Sequence, residues 1–204
     1  MIYIVDDEEP IRDSLAWLLR SRGLDSRAFE SAEAFLAYLQ SSEADRTRPC
    51  CLLLDIRMQG MSGMELFERL CASGHSPTWP AIFLTGHGDV PMAVDALKMG
   101  AFDFVEKPFN DNSLVDRIQA ALEASAQRLE TERSARSVEE RLAALTPRER
   151  DVMELVLEGL YNKVIADRLG IAQRTVEVYR ARILEKMGAK TAVELAAIVA
   201  ERRR

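Results

Sequence analysis

Short apolar runs alternate with longer amphipathic stretches through the first 124 residues. The runs have the length of strands and cover residues 2–5, 26–29, 50–54, 81–84 and 102–105. Helical patterns separate them near residues 9–22, 32–41, 63–73 and 89–99, and another begins near 112. This alternation predicts an α/β fold with a doubly wound, five-stranded parallel sheet covered by helices on both faces. The continuously apolar run 50–54 predicts a buried central strand.

A long helix is predicted to follow the last strand. Residues 111–145 contain neither proline nor glycine and are rich in Ala, Glu, Arg, Gln and Leu. The apolar stripe of this stretch thins after Leu129, which indicates a mostly exposed helix. We assign residues 1–122 to a first domain and residues 123–141 to a helical linker. The pattern leaves open whether this linker couples two domains or is only a solvated helix.

The chain from residue 146 onward shows no strand pattern and contains four short helical patterns. Thr146 and Glu149 can form a capping box around a proline at the first helical position. Asn162 is predicted to cap the second helix, and a turn at Gly170 separates it from a third helix near 173–187. Four helices with a glycine turn between the second and third predict an all-α helix-turn-helix domain, which we place at residues 142–204.

The net charge of −6 is divided unevenly along the chain. Residues 1–124 carry 11 Lys and Arg against 20 Asp and Glu, whereas residues 125–204 carry 16 against 13. An acidic domain can hold cations, and a basic one can bind nucleic acid if its cations are clustered. No apolar run has the length of a membrane span, and the N-terminus does not resemble a signal peptide. Cys50, Cys51 and Cys71 lack metal-like spacing and are predicted to be packed thiols in a reducing cytoplasm.

Polar side chains interrupt the chain where the predicted strands end. Asp6 and Asp7 follow the first strand, Asp55 ends the third, Thr85 ends the fourth and Lys107 follows the fifth. The carboxyl ends of the strands of a parallel sheet share one edge, where ligands bind. These residues are therefore expected to converge in one crevice, although each alone would be an ordinary strand-end or loop residue.

The residue types in this crevice indicate phosphoryl chemistry. Three carboxylates repel one another unless a cation joins them, and oxygen ligands at an open edge suit Mg²⁺. A carboxylate can attack phosphorus to form an acyl phosphate, and Asp55 at the end of the central strand is the best candidate nucleophile. Lys107 would add positive charge and Thr85 would offer a hydroxyl to a phosphate oxygen.

Four segments of the first domain resemble the receiver domains of two-component response regulators. They are residues 4–8 (IVDDE), 53–58 (LLDIRM), 83–88 (FLTGHG) and 104–109 (FVEKPF), and residues 85–109 are especially similar to the FixJ subfamily. The resemblance implies a flavodoxin-like sheet with strand order 2-1-3-4-5. It also implies that Asp55 accepts phosphate from a sensor histidine kinase, with Mg²⁺ as the cofactor.

The same resemblance assigns roles to single residues. The magnesium ligands would be the side chains of Asp6, Asp7 and Asp55 and the backbone carbonyl of Arg57. Thr85 and Phe104 would form a switch pair, in which the hydroxyl turns toward phosphate and the ring follows inward, while Lys107 binds the phosphoryl group. The helix near 89–99 and the strand near 102–105 would be the surface through which phosphorylated receivers form a homodimer.

The predicted third helix of the last domain, near 173–187, carries clustered arginines. Val176, Ile183 and Met187 share one side and are expected to be buried. The other side mixes basic and small residues, as a helix that enters the major groove of DNA requires. Most arginines are assigned to phosphates, because phosphate contacts are the majority in such complexes.

Three segments of this domain resemble the LuxR-type helix-turn-helix, namely residues 145–152 (LTPRERDV), 162–169 (NKVIADRL) and 174–183 (RTVEVYRARI). The resemblance implies binding to double-stranded promoter DNA and, with it, RNA polymerase as a partner. The residues implied to face bases are Glu177, Val178 and Ala181. Those implied to contact the DNA backbone are Arg174, Thr175, Arg182 and Lys186, and Lys163 can extend this basic surface. The chain departs from the pattern at Val164, at Tyr179 and at Ala172, which stands where serine commonly caps the recognition helix.

Two other classes of function remain as alternatives. A phosphatase with an aspartyl nucleophile generally needs a second carboxylate two residues after the nucleophile, and this position is Arg57. An adaptor that binds only proteins would not need the clustered basic helix. The chain is therefore predicted to be a phosphorylation-dependent, DNA-binding transcriptional regulator and not an enzyme.

Two isolated residues receive ordinary structural interpretations. Trp17 lies among leucines on the first predicted helix and is expected to be part of the core. His87 stands between two glycines beside the acidic site, where it could act on phosphate, although a loop residue is the favoured interpretation.

Overall fold

A computed structural model describes residues 1–41, 45, 47–73, 79–86 and 90–201 of the chain. The chain forms two compact units, Met1–Glu130 and Thr131–Arg204. The boundary between these units falls inside the predicted linker. Within the described residues, no helix combines the length and the apolar character that a membrane crossing requires.

The first unit contains a five-stranded parallel sheet in the order β2-β1-β3-β4-β5. This order confirms the predicted doubly wound topology. The strands are β1 (Ile2–Val5), β2 (Ser26–Phe29), β3 (Cys51–Asp55), β4 (Ala81–Thr85) and β5 (Asp103–Glu106). Every residue of β3 and β4 is buried, as expected for central strands that helices cover on both faces.

Helices connect the strands and close two separate cores. The helices are α1 (Glu9–Ser21), α2 (Ala32–Gln40), α3 (Gly63–Ala72), α4 (Val90–Lys98) and α5 (Asp111–Ala143). Successive residues of a strand point to opposite faces of the sheet. In β1, for example, Tyr3 and Val5 join the core that contains α2 and α3, whereas Ile2 and Ile4 join the core that contains α1 and the start of α5.

Trp17 does not belong to either core. The prediction that it is buried is wrong, because 64% of its surface is exposed. Leu15, Leu18 and Leu19 supply the buried stripe of α1, and Trp17 lies on the opposite side of that helix. The buried stripe of a helix is set by the angular position of each residue, and apolar neighbours in sequence do not place a residue in it.

The α5 helix extends past the end of the predicted first domain while it remains attached to the sheet. Ser125 is fully buried, and its Oγ accepts a hydrogen bond of 3.1 Å from the backbone N–H of Cys50. Cys50 directly precedes β3. A buried backbone donor without an acceptor is costly, so this contact secures both the start of β3 and the helix.

The second unit contains the end of α5 and four short helices, α6 (Pro147–Leu157), α7 (Asn162–Leu169), α8 (Gln173–Met187) and α9 (Ala192–Glu201). Its core includes Val138 from α5 and the buried stripe of α8, which is Val176, Ile183 and Met187 as predicted. Thr146 and Glu149 form the predicted capping box.

Two helix starts in this unit lack a capping side chain. The residue that precedes α7 is Tyr161, which makes no side-chain cap, so the prediction that Asn162 caps this helix is wrong. Asn162 is the first helical residue instead. Ala172 precedes α8 and provides no side-chain hydrogen bond either. The missing cap on α8 costs about 1 kcal/mol relative to a serine.

Gly63 allows α3 to begin directly against the end of β3. A Cβ atom on this glycine would lie 2.1 Å from the backbone oxygen of Asp55, which is far inside contact distance. We expect Gly63→Ala to destabilise the folded protein by about 2–3 kcal/mol, because the start of α3 must move. Gly23→Ala is the control. A Cβ there meets open space and only the φ of +70° causes strain, so the loss should be about 1 kcal/mol. Urea unfolding of both variants tests this prediction, and an equal or smaller loss for Gly63→Ala contradicts it.

Candidate functional site

Four of the five residues predicted to form the acidic crevice meet at the carboxyl edge of the sheet. Asp6 follows β1, Asp55 and Thr85 are the last residues of β3 and β4, and Lys107 follows β5. Asp6, Asp55 and Thr85 are almost completely buried. The parallel pairing of β1, β3, β4 and β5 places these strand ends side by side.

The ammonium of Lys107 joins two carboxylates. Its Nζ donates to Asp55 Oδ1 at 2.6 Å and to Asp6 Oδ2 at 2.9 Å. The lysine side chain is only 17% exposed, so both ion pairs lie largely out of water. The backbone positions this side chain, because the N–H of Lys107 donates to the carbonyl of Thr85 at 2.7 Å.

Because Asp6 and Asp55 share one cation, their combined negative charge is only partly neutralised. Burial raises the pKa of Asp55, and the nearby charge of Asp6 adds to this, although Lys107 and a backbone hydrogen bond from Arg57 oppose it. Burial also acts to lower the pKa of Lys107, but its hydrogen bonds to Asp55 and Asp6 outweigh this and the pKa rises. The lysine therefore remains charged, while Asp55 is a more basic carboxylate than an exposed one.

Asp7 contacts the loop that follows β3, whereas Asp6 and Asp55 pair with Lys107. The Oδ2 of Asp7 accepts a hydrogen bond of 2.9 Å from the backbone N–H of Gln59 in this loop. Among the described residues, no three acidic, histidine or cysteine side chains converge on a common metal position. The structure thus brings Asp6 and Asp55 together through Lys107, and it uses Asp7 to hold the loop that carries Arg57.

The hydroxyl of Thr85 donates to the backbone carbonyl of Gly86 at 3.0 Å. Phe104 lies on β5 beside Phe83 of β4, is half-buried and packs against the core that contains α2 and α3. His87, which was predicted to be a loop residue, lies outside the described residues. The three cysteines are free thiols. Cys50 and Cys51 are buried as predicted, and Cys71 is partly buried against the core. Burial raises the pKa of Cys50 to about 12.

The outer side of α8 forms a second candidate surface. Arg174, Val178, Ala181 and Arg182 are exposed, and Thr175 and Glu177 are partly exposed. Arg174 donates to Glu177 at 2.9 Å across one helical turn, and its side chain remains 87% exposed. Lys163 on α7 is exposed as well. The surface combines cations with small apolar groups, which is the chemistry that a DNA groove and its phosphates require.

Lys186 differs from the other cations of α8. Its Nζ donates to Glu149 Oε2 at 2.6 Å and to the carbonyl of Ala144 at 3.1 Å. Only 3% of the Glu149 side chain is exposed, and the hydrogen bond from Lys186 together with those from Thr146 lowers the pKa of this carboxyl. The partner of Lys186 is therefore a buried acid of the same unit.

Two models of known protein families match this chain. Residues 2–119 match the model of the response regulator receiver domain, and residues 143–199 match that of the bacterial regulatory proteins of the luxR family. The chain belongs to the response regulators. The first match contains the acidic crevice and the second contains α6, α7 and α8.

Similar proteins span nearly the whole length of this response regulator. It is 51% identical over 195 residues to the C4-dicarboxylate transport transcriptional regulatory protein DctR of Rhodobacter capsulatus, covering 96% of each chain. It is 44% identical to the transcriptional regulatory protein FixJ of Bradyrhizobium diazoefficiens, over 95% of this chain and 91% of that one.

Two solved structures of similar proteins also cover both units. The response regulator StyR matches with a TM-score of 0.88 and 39% identity over 98% of each chain. Full-length FixJ from B. japonicum matches with a TM-score of 0.59 and 41% identity, over 99% of this chain and 96% of that one. The predicted family and fold are therefore confirmed, and the family comprises transcription regulators and not enzymes.

Sequence reasoning missed the contacts of Glu149 beyond its capping box. Glu149 and Lys186 are 37 positions apart in the sequence, and a local sequence pattern does not predict a contact at that separation. The hydrogen bonds from Lys107 to Asp6 and Asp55 were also missed, because the sequence resemblance gives this lysine a contact with phosphate alone. A charge count at the sheet edge could have indicated it, since a lone lysine among three acids will pair with some of them.

The raised pKa of Asp55 gives a test of the electrostatics. The folded state holds the proton of Asp55 more tightly than the unfolded chain does. The free energy of unfolding is therefore lowered by Asp55 at pH values above its raised pKa in the folded protein. It is not lowered at pH values below the ordinary pKa of an aspartate, where the group is protonated in both states. We expect Asp55→Asn in EDTA to raise the melting temperature by a few degrees at pH 7. The gain should disappear as the pH falls to about 4.

Asp116→Asn is the matched control, because Asp116 is an exposed acid on α5. Melting curves of both variants and the wild type, recorded from pH 4 to pH 7, make the comparison. A lower melting temperature for Asp55→Asn at pH 7 would show that Lys107 compensates Asp55 completely.

Proposed function

We propose that a sensor histidine kinase transfers phosphate to Asp55 and that this switches binding to promoter DNA. The observation that carries the proposal is the ion pair of 2.6 Å between Asp55 and Lys107 at the end of the central strand. An Oδ atom of Asp55 can attack phosphorus, and the ammonium lies where it can contact an oxygen of the transferred group. The other carboxylate on Lys107, Asp6, keeps this ammonium charged and in place.

The residues of the crevice fit Mg²⁺. Three carboxylates and one ammonium leave two negative charges without compensation, and Mg²⁺ commonly binds through one or two carboxylates together with water and phosphate oxygens. Asp6 and Asp55 would hold the ion, with Asp7 and the backbone carbonyl of Arg57 as further ligands. When bound, the cation offsets the charge of the transferring phosphoryl group.

Thr85 and Phe104 are proposed to transmit the effect of phosphorylation from Asp55 to the rest of the receiver. The Thr85 hydroxyl is bonded to a carbonyl next to it, so it can exchange this acceptor for a phosphate oxygen without breaking a long-range contact. Phe104 is half-buried and can move further into the core that it already contacts. The resulting shift would favour a receiver homodimer through α4 and β5.

The homodimer would place two α8 helices on two half-sites of double-stranded promoter DNA. Glu177, Val178 and Ala181 are proposed to face bases, while Arg174, Thr175, Arg182 and Lys163 contact the backbone. RNA polymerase is proposed as a further partner, and the cytoplasm as the location, because promoter DNA is there. Residues 1–122, 123–141 and 142–204 are proposed as the receiver, linker and DNA-binding domain, with Ser125 of the linker buried in the first unit and Val138 in the core of the second.

Phosphorylation of Asp55 can be tested with acetyl phosphate and Mg²⁺. We expect intact-mass analysis to show the addition of one phosphoryl group, and light scattering to show a shift from monomer toward dimer. The Asp55→Asn variant should show neither change, because the amide is not a nucleophile. Dimerisation of this variant under the same treatment would contradict the proposed switch, and labelling of the variant would place the phosphate on another residue.

The proposed DNA surface can be tested by placing a carboxylate on it. Ala181→Glu adds negative charge and bulk to an exposed position of α8, and we expect it to weaken binding to a 30-base-pair random duplex by about tenfold or more. Ala200→Glu, at an exposed position of α9, makes the same chemical change outside the surface and should bind like the wild type. Fluorescence anisotropy measures both affinities, and equal losses would argue against α8 as the DNA-contacting helix.

A further inference from the structure

Hydrogen bonds from three cationic side chains connect the end of α5 and the residue that follows it with α6 and the end of α8. These side chains, with the groups that they contact in the second unit, are here called the linker clamp. Its residues are Arg141, Leu142, Ala144, Glu149, Arg150, Lys186 and Met187. The carbonyl groups at the end of a helix have no partner within the helix, and side-chain cations can satisfy them.

Arg141 makes the contact between the two helix ends. Its Nη1 donates to the backbone carbonyl of Met187, the last residue of α8, at 2.9 Å. Positive charge at this end also interacts favourably with the helix dipole. Gly188 follows with a φ of +67°, and a Cβ atom there would lie 3.0 Å from the same Nη1. The absence of a side chain at residue 188 thus leaves room for the guanidinium.

Lys186 makes the reverse contact, from α8 toward the chain that follows α5. Its Nζ donates to the carbonyl of Ala144 and to the carboxylate of Glu149, which also accepts from the N–H and hydroxyl of Thr146. Arg150 donates to the carbonyl of Leu142 at 2.9 Å. The ammonium of Lys186 is therefore engaged by one buried acid and one backbone carbonyl.

The apolar contacts of α5 agree with these hydrogen bonds. Val138 is 5% exposed and belongs to the core that Ile183 and Met187 of α8 also form. One turn further along, Leu142 packs against the same core. The last turns of α5 thus pack into the core of the second unit, beside the end of α8.

We propose that the linker clamp positions the recognition helix, and that Lys186 acts through this clamp and does not contact DNA phosphate. This proposal rests on the proposed binding of DNA by α8. It replaces the sequence-based assignment of Lys186 to the DNA backbone. It also makes Arg141, which lies in the segment assigned to the linker, a positioning residue for DNA recognition.

The first test asks whether Lys186 contacts a DNA phosphate. Affinity of the full-length, acetyl phosphate-treated protein for a 30-base-pair random duplex is measured between 50 and 300 mM KCl. Each lost phosphate contact lowers the slope of log affinity against log salt by about 0.9. We expect Lys163→Met to show this reduction and Lys186→Met to keep the wild-type slope. A slope reduced equally by Lys186→Met overturns the proposal.

The second test measures positioning directly and does not depend on Lys186. A duplex that the wild type enriches from a random pool serves as the specific probe, and discrimination is the ratio of random to specific dissociation constants. Arg141→Ala should lower this ratio by about threefold, the effect expected from removing a cation at a helix end. Its slope on random duplex should not change, because no phosphate contact is lost. Arg141→Lys should recover discrimination.

Arg136→Ala is the control for the second test, because Arg136 lies on the same helix and forms an exposed pair with Glu140. It should discriminate like the wild type. Thermal melting confirms that each variant is folded at the assay temperature. Unchanged discrimination in Arg141→Ala overturns the positioning role, whereas a wild type that binds neither duplex overturns the proposed function itself.

Discussion

The shared ammonium of Lys107 is the interaction on which the acidic site depends. Two carboxylates buried at neighbouring strand ends repel each other, and each loses its hydration when the sheet forms. One cation within 3 Å of both makes this arrangement tolerable without neutralising it completely. The residual negative charge supports the proposed binding of a divalent cation, and the raised pKa of Asp55 supports its proposed role as a nucleophile. The same incomplete compensation therefore affects both the stability of the site and the reactivity proposed for Asp55.

A similar principle organises the second unit with the opposite sign. There a single buried acid, Glu149, collects three donors, and one of them belongs to the recognition helix. In the first unit Lys107 pairs with two acids, so an excess of negative charge is left with which a cationic ligand can interact. In the second unit the acid accepts three hydrogen bonds, which supports the proposal that the ammonium of Lys186 does not contact DNA phosphate. The exposed cations of α7 and α8, such as Lys163 and Arg182, are those proposed to contact nucleic acid.

The sequence pattern predicted the sheet, its helices and most of the site because those features depend on short-range order. Strand ends can be located from apolar runs, and parallel topology then brings Asp6, Asp55, Thr85 and Lys107 to one edge. Contacts between distant side chains follow a different rule. The orientation of Asp7 toward the Gln59 amide depends on the path of a loop, and the pairing of Lys186 with Glu149 depends on how helices pack. Trp17 shows the same limit, since its neighbours in sequence do not reveal the side of the helix on which it lies.

The hydrogen bond between Ser125 and the Cys50 amide has a consequence for where the first unit can be divided from the rest of the chain. An excision at residue 122, where the apolar pattern places the domain end, would remove the acceptor of a buried amide at a cost of about 1–3 kcal/mol. The strand affected is the one that ends at Asp55. The smallest autonomous receiver should therefore include at least the turn of α5 that contains Ser125. The same helix contributes Val138 to the core of the second unit, so one continuous segment is a structural component of both folding units.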